Sequence, residues 1–489
     1  MFQPLSPYSL LLCLLLCTQS CSGQSVASPS YPALPVDRVK ASLEEYREPT
    51  LTDRRFKQED LVPLLAALPA EFAVDTAGYS VQSRPLYRVS WGEGDTEVLL
   101  WSQMHGDEPT ATAALFDLFN WLAGAGDGLD TVRATIRDSL HLTFLPMLNP
   151  DGAAVYERRN ALGIDLNRDA LDLTSPEARL LKEERDRLDA AWGFNLHDQS
   201  PYYSAGFPAE RGAVLSVLAP AYDWEKTMSD KREDAAQLIA LMNERWQEEV
   251  PGQVGRYNDD FEPRAFGDNL QRWGTRTILI ESGGYAGDPE KQEIRRLNVL
   301  ALIAGLYGIA TGAYEVYPID RYWQIPENQS NGMHDLILEN ATVTVGGRDY
   351  VMDIGFRRGE TTLAPGNRQY LSSAYVSDLG DLHTFGAFRR VDLGGKRVRT
   401  GKVYPGVLAP AAASRLEAQR LYREGYTAVE VNTPPPYPQD LTNKYRVIHR
   451  SGRLRDELVY GGRVDLLVYG GGVLEAVVVN GTYIVVTEE

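Results

Sequence analysis

Residues 101–110, WSQMHGDEPT, constrain this chain more than any other stretch. The apolar run at 98–101 predicts a short buried strand, and Pro109 predicts the first turn of a helix just beyond it. Strand-to-helix turns lie at the carboxyl edge of parallel sheets, where α/β proteins bind ligands. We therefore expect His105 and Glu108 at the rim of a site, where an imidazole and a carboxylate can converge on one Zn²⁺.

The H-x-x-E spacing alone is weak evidence, because a helix-capping histidine with a solvated glutamate gives the same pattern. Two further strands supply the missing partners. A buried strand at 192–196 ends at His197, and an apolar strand at 277–280 ends at Glu281. Three strands thus each end in a potential metal ligand or acid. This repetition predicts that the side chains meet at one edge of a sheet.

The order of strands and helices indicates the fold class. Between residues 67 and 311, apolar strands alternate with helical patterns at 109–123, 175–190, 230–248 and 291–309. This alternation predicts an α/β domain whose mixed, mostly parallel sheet lies between layers of helices. The turn sequence GEGD at 92–95 separates two strand patterns, 87–91 and 96–101. It predicts a β-hairpin at this point.

Charge and cysteine content exclude several functions. The 489 residues carry a net charge of -18, without the clusters of Lys and Arg that phosphate binding needs, so we expect no nucleic-acid partner. The three cysteines stand at positions 13, 17 and 21. The folded body therefore has neither a disulfide framework nor a cysteine zinc site, and any metal must be held by His and carboxylates.

The N-terminus has the pattern of an export signal. Residues 10–16 are an apolar segment too short to span a bilayer, and small or polar residues follow. Cys21 resembles the lipidated cysteine of bacterial lipoproteins, although no Lys or Arg precedes it. We expect a signal peptide at 1–21 and a tether at 22–50. The mature protein would lie in the cell envelope or be secreted, with a lipid anchor as its membrane contact.

Five motifs follow one another across residues 78–312: HGDE, NPDG, RxNxxGxDLNR, NLH and IES. Together they resemble the zinc metallocarboxypeptidases of the carboxypeptidase A/B type, the funnelins. The resemblance implies a zinc carboxypeptidase-like catalytic domain over residues 51–314. It also implies one Zn²⁺ per chain and hydrolysis of C-terminal peptide bonds by a metal-activated water.

The resemblance also implies roles for the residues at the metal. Zn²⁺ would be held by His105, Glu108 and His197. Glu281 would be the general base that deprotonates the attacking water and later protonates the leaving amine. Asp165 would accept a hydrogen bond from His105 and so fix the tautomer of that ligand.

A second group of positions would bind the substrate, a peptide with a free terminal carboxylate. Arg158 would polarise the scissile carbonyl, but Arg159 competes for this role because spacing does not tell which side chain points inward. Asn167 and Arg168 would clamp the carboxylate, since a guanidinium can bind it with two hydrogen bonds. Tyr257 is the nearest match to the tyrosine that caps the substrate in this family.

Beyond residue 317 the helical alternation ends, and Pro- and Gly-rich strands predict a smaller, mainly β domain over 320–489. Two stretches, DLILENATVTV and GRVDLLVYGGGVLEAVVVNGTYIVV, resemble the halves of the small β-sandwich of amidohydrolases. The remaining histidines lack ligand spacing and are expected to be structural: His141, His334, His383 and His449. We expect this domain to be a support or binding module.

Three hypotheses remain open for the function. The first is an exported zinc carboxypeptidase. The second is a zinc amidohydrolase that releases an acyl group, or a hydrolase of cell-wall peptides at γ-D-glutamyl or D-amino bonds, because these enzymes share the metal ligands. The third is an inactive peptide-binding envelope protein. It would lack Glu281 or a metal ligand, and the sequence retains all of them.

Overall fold

The computed structural model describes residues 31–363, 368–433, 444–449, 454–455 and 457–487. The predicted signal peptide, the predicted lipidation site Cys21 and the first part of the predicted tether lie outside these residues.

The first half of the chain is built on one sheet. The strands in this part of the chain are β1 Ala73–Tyr79, β2 Pro85–Trp91, β3 Thr96–Ser102, β4 Leu140–Leu145, β5 Trp192–Asp198, β6 Ser204–Ala205, β7 Leu215–Leu218, β8 Val254–Arg256 and β9 Arg276–Ser282. The two-residue strand β6 lies outside the sheet, and the other eight form it. The sheet order is β1-β2-β4-β3-β5-β9-β7-β8. The central strands β4, β3, β5 and β9 are parallel to one another. The pairs β1 with β2, β2 with β4 and β7 with β9 are antiparallel, and β8 is parallel to β7. The expected mixed, mostly parallel sheet is confirmed.

Helices cover both faces of this sheet. They are α1 Val36–Ser42, α2 Gln58–Ala66, α3 Thr110–Leu122, α4 Asp130–Ser139, α5 Pro150–Val155, α6 Pro176–Leu188, α7 Asp230–Glu249, α8 Phe266–Arg272, α9 Gln292–Thr311 and α10 Asp320–Trp323. Leu100 of β3 packs in the core with α3, α7 and α9, while Leu99 and Trp101 pack with α6 and α8. Because successive side chains of a strand point to opposite faces, the apolar run of β3 contributes to both cores.

Helix α9 is the centre of one layer. Its length and composition would allow it to cross a membrane, but 83% of its apolar window is buried in the fold. Two of its glycines let α7 approach closely. A Cβ on Gly308 would lie 3.0 Å from Cδ1 of Leu241, and one on Gly305 would lie 3.1 Å from Sδ of Met242. We conclude that α9 is a core helix of this fold.

The predicted hairpin of residues 87–91 and 96–101 is wrong. β4 lies between β2 and β3, antiparallel to the first and parallel to the second. The turn at 92–95 packs on the beginning of β4 instead, where a Cβ on Gly94 would lie 1.9 Å from the carbonyl carbon of Ser139. The glycine is therefore required by a contact with a distant part of the chain, and not by a hairpin turn.

The folded structure begins earlier than the predicted tether boundary at residue 50. Helix α1 starts at Val36, and Val39 on this helix is fully buried in the main core. Farther along, the guanidinium of Arg295 on α9 donates hydrogen bonds to the carbonyl oxygens of Glu48 and Leu51 at 3.0 and 2.5 Å. Residues 36–50 are thus part of the first domain because their apolar side chains and carbonyls have partners in its core.

The C-terminal part is rich in strands, as expected. They are β10 Asn328–Gln329, β11 Met333–Val345, β12 Arg348–Thr362, β13 Tyr370–Gly380, β14 Gly386–Asp392, β15 Arg397–Thr400, β16 Lys402–Leu408, β17 Tyr426–Val431, β18 Arg446–Ile448, β19 Leu466–Gly470, β20 Val473–Val479 and β21 Thr482–Val485. A second sheet has the order β13-β12-β11-β15-β19-β20-β21, with β14 paired to β11. Strands β16, β17 and β18 form a small third sheet beside α11 Pro410–Ala413 and α12 Ala418–Arg423. We call the described residues from 333 to 487 the C-terminal β region.

Candidate metal centre and active site

The loop between β3 and α3 carries the first two candidate ligands. The backbone N–H of Glu108 donates to the carbonyl of His105 at 3.1 Å, which makes a tight turn. Gly106 allows this turn to pack on the start of α5, because a Cβ there would lie 2.1 Å from the carbonyl carbon of Gly152. The second position of HGDE therefore requires glycine for steric reasons. The resulting turn lets His105 and Glu108 both point into the fold.

The third candidate ligand comes from the neighbouring strand. His197 lies near the end of β5, which pairs with β3 on one side and with β9 on the other. In the β5 to β9 register, His197 is opposite Glu281. The parallel order β3, β5, β9 thus brings the ends of three sequence motifs to one edge of the sheet, as the sequence predicts.

The three side chains form a compact, buried cluster. Nδ1 of His105 lies 2.8 Å from Oε1 of Glu108, and Nδ1 of His197 lies 2.7 Å from Oε2 of the same carboxylate. One ligand atom from each residue lies within 4.8 Å of the other two. Among the residues that the structure describes, no other group of three His, Cys, Asp or Glu has this arrangement. Two imidazoles and one carboxylate are a donor set of catalytic zinc sites.

Asp165 holds His105 in place. Its Oδ1 accepts a hydrogen bond from Nε2 of His105 at 3.0 Å, which leaves Nδ1 facing Glu108. Nε of Arg158 donates to Oδ2 of Asp165, also at 3.0 Å. A carboxylate behind a histidine ligand fixes the ring and raises its basicity. The position of Asp165 therefore suits the orienting role that the resemblance implies.

The pKa values of the two histidines in the cluster are shifted in opposite directions. Burial by itself lowers the pKa of His105, but the charge of Glu108 and the hydrogen bonds of both acidic neighbours raise this pKa to about 9. Burial alone would raise the pKa of Glu108, yet the two histidines lower it well below its usual range. Burial lowers the pKa of His197, so this imidazole stays neutral. A neutral imidazole and an ionised carboxylate are the forms that bind a metal ion, so the residues fit a divalent cation.

Glu281 has the surroundings of a proton acceptor. Its pKa is raised well above the usual value, first by burial and then by the nearby charge of Glu108. A carboxylate whose pKa is shifted towards neutrality can take a proton and release it again at neutral pH. The geometry and the electrostatics of Glu281 therefore suit a general base.

The structure distinguishes the two neighbouring arginines. The guanidinium of Arg158 donates to Oε1 of Glu108 at 3.2 Å, in addition to its bond with Asp165. Arg159 turns away, and its NH1 donates to the carbonyl of Gly163 at 3.0 Å on the exposed side of the loop. Arg158 is the arginine that faces the cluster.

The other predicted substrate residues, Asn167, Arg168 and Tyr257, each have a partner outside the metal cluster. Oδ1 of Asn167 accepts from the backbone N–H of Phe266 at 2.8 Å. Arg168 is exposed and forms an ion pair with Glu262 at 3.3 Å. Tyr257 packs against Tyr203 with ring centroids 5.5 Å apart, and burial followed by the charge of Glu281 raises its pKa.

Sequence reasoning missed an ion pair beside the cluster. Oδ2 of Asp198 accepts from Nζ of Lys291 at 3.0 Å and from Oγ1 of Thr110 at 2.6 Å. In the sequence, Asp198 directly follows His197, whereas Lys291 is only the first residue of the helical pattern at 291–309. No local pattern could have paired two residues that are 93 positions apart.

A cavity of about 690 Å³ opens beside the cluster. Glu108, Arg158 and Asp198 are among the residues that line it. Asp107, next to Glu108, also lines this cavity, and its buried Oδ1 has no hydrogen-bond partner. The fold and the site together define an α/β protein with a two-histidine, one-carboxylate metal cluster at the carboxyl edge of its sheet, next to a ligand-sized cavity.

Comparisons with known proteins agree with this description. A family model described as zinc carboxypeptidase, Peptidase_M14, matches residues 60–186, which include His105, Glu108 and Arg158. Residues 60–186 are therefore similar to zinc carboxypeptidases, as the motifs in this part of the sequence predict.

Individual relatives match parts of the chain. Carboxypeptidase SOL1 of Arabidopsis thaliana is 40% identical over 73 residues, which span 15% of this chain and 15% of that relative. A metallo-carboxypeptidase from Burkholderia cenocepacia shares 20% identity over 52% of this chain and 69% of its own, with a TM-score of 0.41. Thrombin activatable fibrinolysis inhibitor shares 13% identity over 57% of this chain and 80% of its own, with a TM-score of 0.42.

The contact between Asp165 and His105 leads to a prediction for metal affinity. Asp165→Asn keeps the shape of the side chain but removes the charge that orients the imidazole. We expect the zinc affinity to fall about 10- to 100-fold, as for other partners of histidine ligands. Competition with a chromophoric chelator measures this. Asp172→Asn, on an exposed part of the next turn, is the control, and equal zinc affinities for the two variants would contradict the role of Asp165.

Proposed function

We propose that this protein is a zinc-dependent metallopeptidase that hydrolyses C-terminal peptide bonds, with one Zn²⁺ per chain. The observation that carries the proposal is the convergence of His105, Glu108 and His197 in one buried cluster, with Glu281 opposite His197 on the next strand. Because all four side chains are in place, the alternative of an inactive binding protein has no support from the site.

Each part of the proposed hydrolysis is assigned to a residue of this chain. Zn²⁺, when bound by the three ligands, supplies a Lewis acid that polarises a carbonyl and lowers the pKa of water. Glu281 accepts a proton from the attacking water, holds it on its carboxyl group and transfers it to the leaving amine. Arg158 donates hydrogen bonds to the scissile carbonyl oxygen and stabilises the negative charge that develops on it.

The substrate's terminal carboxylate would bind on the side of Asn167 and Arg168. A guanidinium offers two parallel N–H donors to a carboxylate. Arg168 is exposed, and a bound carboxylate would replace its surface ion pair with Glu262. Tyr257 lies near enough to Glu281 for the carboxylate charge to raise the tyrosine's pKa, and it would close over the bound residue. This arrangement favours a peptide with a free C-terminus over a substrate without a carboxylate. A deacylase or a cell-wall peptide hydrolase would use the same metal and base.

Replacement of the general base tests the reaction and its product. Glu281→Gln should keep one zinc per chain and lose about 100- to 10,000-fold in turnover, because an amide cannot accept the proton of the attacking water. Mass spectrometry of a peptide library treated with the wild type should show loss of single C-terminal residues. Glu293→Gln, on the surface of α9, should leave turnover unchanged. Internal cuts, deacylation or an active Glu281→Gln variant would contradict the proposal.

The two adjacent arginines provide a matched pair of variants. Arg158→Ala should lower kcat by about 100- to 1,000-fold with an unchanged zinc content, because it removes a donor to the developing oxyanion. Arg159→Ala should stay within about threefold of the wild type, since this side chain bonds the exposed loop. Steady-state kinetics on one peptide measure both variants. The reverse order of effects would exchange the two assignments.

We also propose that the protein is exported and anchored through lipid on Cys21, which the N-terminal pattern supports. The Cys21→Ser variant, expressed in a bacterial host, should lose metabolic labelling with palmitate and leave the membrane fraction. Cys17→Ser, four residues earlier in the chain, is the matched control and should keep both properties. Equal labelling of the two variants would contradict lipidation at Cys21, and a cytoplasmic wild type would contradict export.

A further inference from the structure

We propose that the C-terminal β region is part of the substrate-binding site, where it binds the peptide residues that precede the scissile bond. This inference rests on the proposed peptidase function and assigns a specificity role to a region that the sequence predicts only as a support or binding module. The cavity beside the metal cluster, its two walls and their contacts carry the argument.

The cavity is lined by residues next to the catalytic cluster and by residues of the C-terminal β region. The β region contributes residues from β11, β12, β13 and β14, namely Asp335, Arg358, Glu360, Ser372 and Phe388. Ligand pockets have volumes of about 300 to 1,000 Å³, and a cavity of about 690 Å³ can hold a short peptide segment. A domain that served only as a support would not need to face this cavity.

The residues that line the cavity indicate which part of a peptide substrate would bind in it. Glu108 and Arg158 line it, whereas Asn167, Arg168 and Tyr257 do not. These last three are the residues proposed for the terminal carboxylate. A peptide whose scissile carbonyl lies at Arg158 and whose C-terminus lies at Arg168 therefore extends its preceding residues into the cavity. This acyl part of the substrate then meets the C-terminal β region.

The wall formed by the β region is fixed to the catalytic domain next to the metal ligands. The hydroxyl of Tyr202, five residues after His197, donates to Oδ2 of Asp335 at 2.7 Å and accepts from the backbone N–H of Arg358 at 2.8 Å. On the other side, the guanidinium of Arg55 donates to Oε2 of Glu360 at 2.8 Å. Both contacts are partly buried, so the wall has a defined position relative to the cluster.

The charges of the cavity indicate the chemistry of the occupant. Its cations each have an acidic partner: Arg54 with Glu360, Arg158 with Glu108, Lys291 with Asp198 and Arg358 with Asp335. Among the described residues that line the cavity, six are acidic and four are basic, so an acidic group on the ligand would add to a negative lining. Asp107 adds a buried oxygen without a partner. The cavity therefore suits a neutral peptide segment, and acidic acyl groups are disfavoured.

Ser372 and Ser373 on β13 offer a matched pair of variants. Ser372 lines the cavity and pairs across the sheet with Glu360, which lines it too. Ser373 is absent from the lining and points to the opposite face, because side chains alternate along a strand. A tryptophan at position 372 fills part of the cavity, and a tryptophan at 373 does not. Both serines are half-buried, so the two substitutions place similar demands on the strand.

The test uses a ladder of neutral, N-acetylated peptides with one to six residues before the scissile bond, on the full zinc-loaded chain. We expect Ser372→Trp to lower kcat/KM at least tenfold for peptides with three or more such residues, and less than threefold for the shortest. Ser373→Trp should stay within threefold for every length. Equal effects of Ser372→Trp on all lengths, or no difference between the two variants, would overturn the inference.

A binding measurement separates this inference from the proposed function. In a Glu281→Gln background, calorimetry with the same peptides should show affinity that rises with acyl length, and Ser372→Trp should remove the rise. Failure of the wild type to cleave any peptide would contradict the peptidase proposal, while the binding ladder would still report on the cavity. If Ser372→Trp does not fold, Ser372→Leu and Ser373→Leu replace the pair. Affinity that is independent of length would overturn the inference.

Discussion

The carboxylate of Glu108, held between two imidazoles, is the interaction on which the rest of the structure depends. A buried carboxylate is strongly unfavourable unless charged partners or hydrogen bonds compensate it. Here one oxygen faces Nδ1 of His105 and the other faces Nδ1 of His197, at 2.8 and 2.7 Å. This pairing fixes the end of β5 relative to the loop after β3. It also creates a place where a divalent cation is stabilised.

The sheet order gives this cluster its chemical surroundings. Because β5 lies between β3 and β9, the histidine at the end of β5 stands between the first ligand pair and Glu281. Burial then raises the pKa of Glu281, while Arg158 reaches across from the loop after α5 to bond Glu108 and Asp165. The metal ligands, the proposed base and the proposed oxyanion donor thus come from four separate segments. Only the packing of the sheet brings them together.

The C-terminal β region extends the site beyond the catalytic domain. Tyr202, on the loop that follows His197, bonds β11 and β12 of this region. Arg54 and Arg55, from the segment before α2, pair with Glu360 on β12. The same contacts that hold the two parts of the chain together also place side chains of the β region at the cavity. Attachment and substrate selection would therefore depend on one interface.

The sequence by itself determined the α/β class of the first half and the residues of the metal cluster. Alternating strands and helices, and ligand types at the ends of strands, are local patterns that need no knowledge of distant contacts. The predicted hairpin is wrong because the glycines at 92–95 pack against the start of β4, and β4 lies in the sheet between β2 and β3. Spacing also left Arg158 and Arg159 equivalent. Only the tertiary structure showed which of the two arginines faces the cluster. It also showed the ion pair of Lys291 with Asp198 and the position of the β region at the cavity. Each of these depends on contacts between segments that are far apart in the chain.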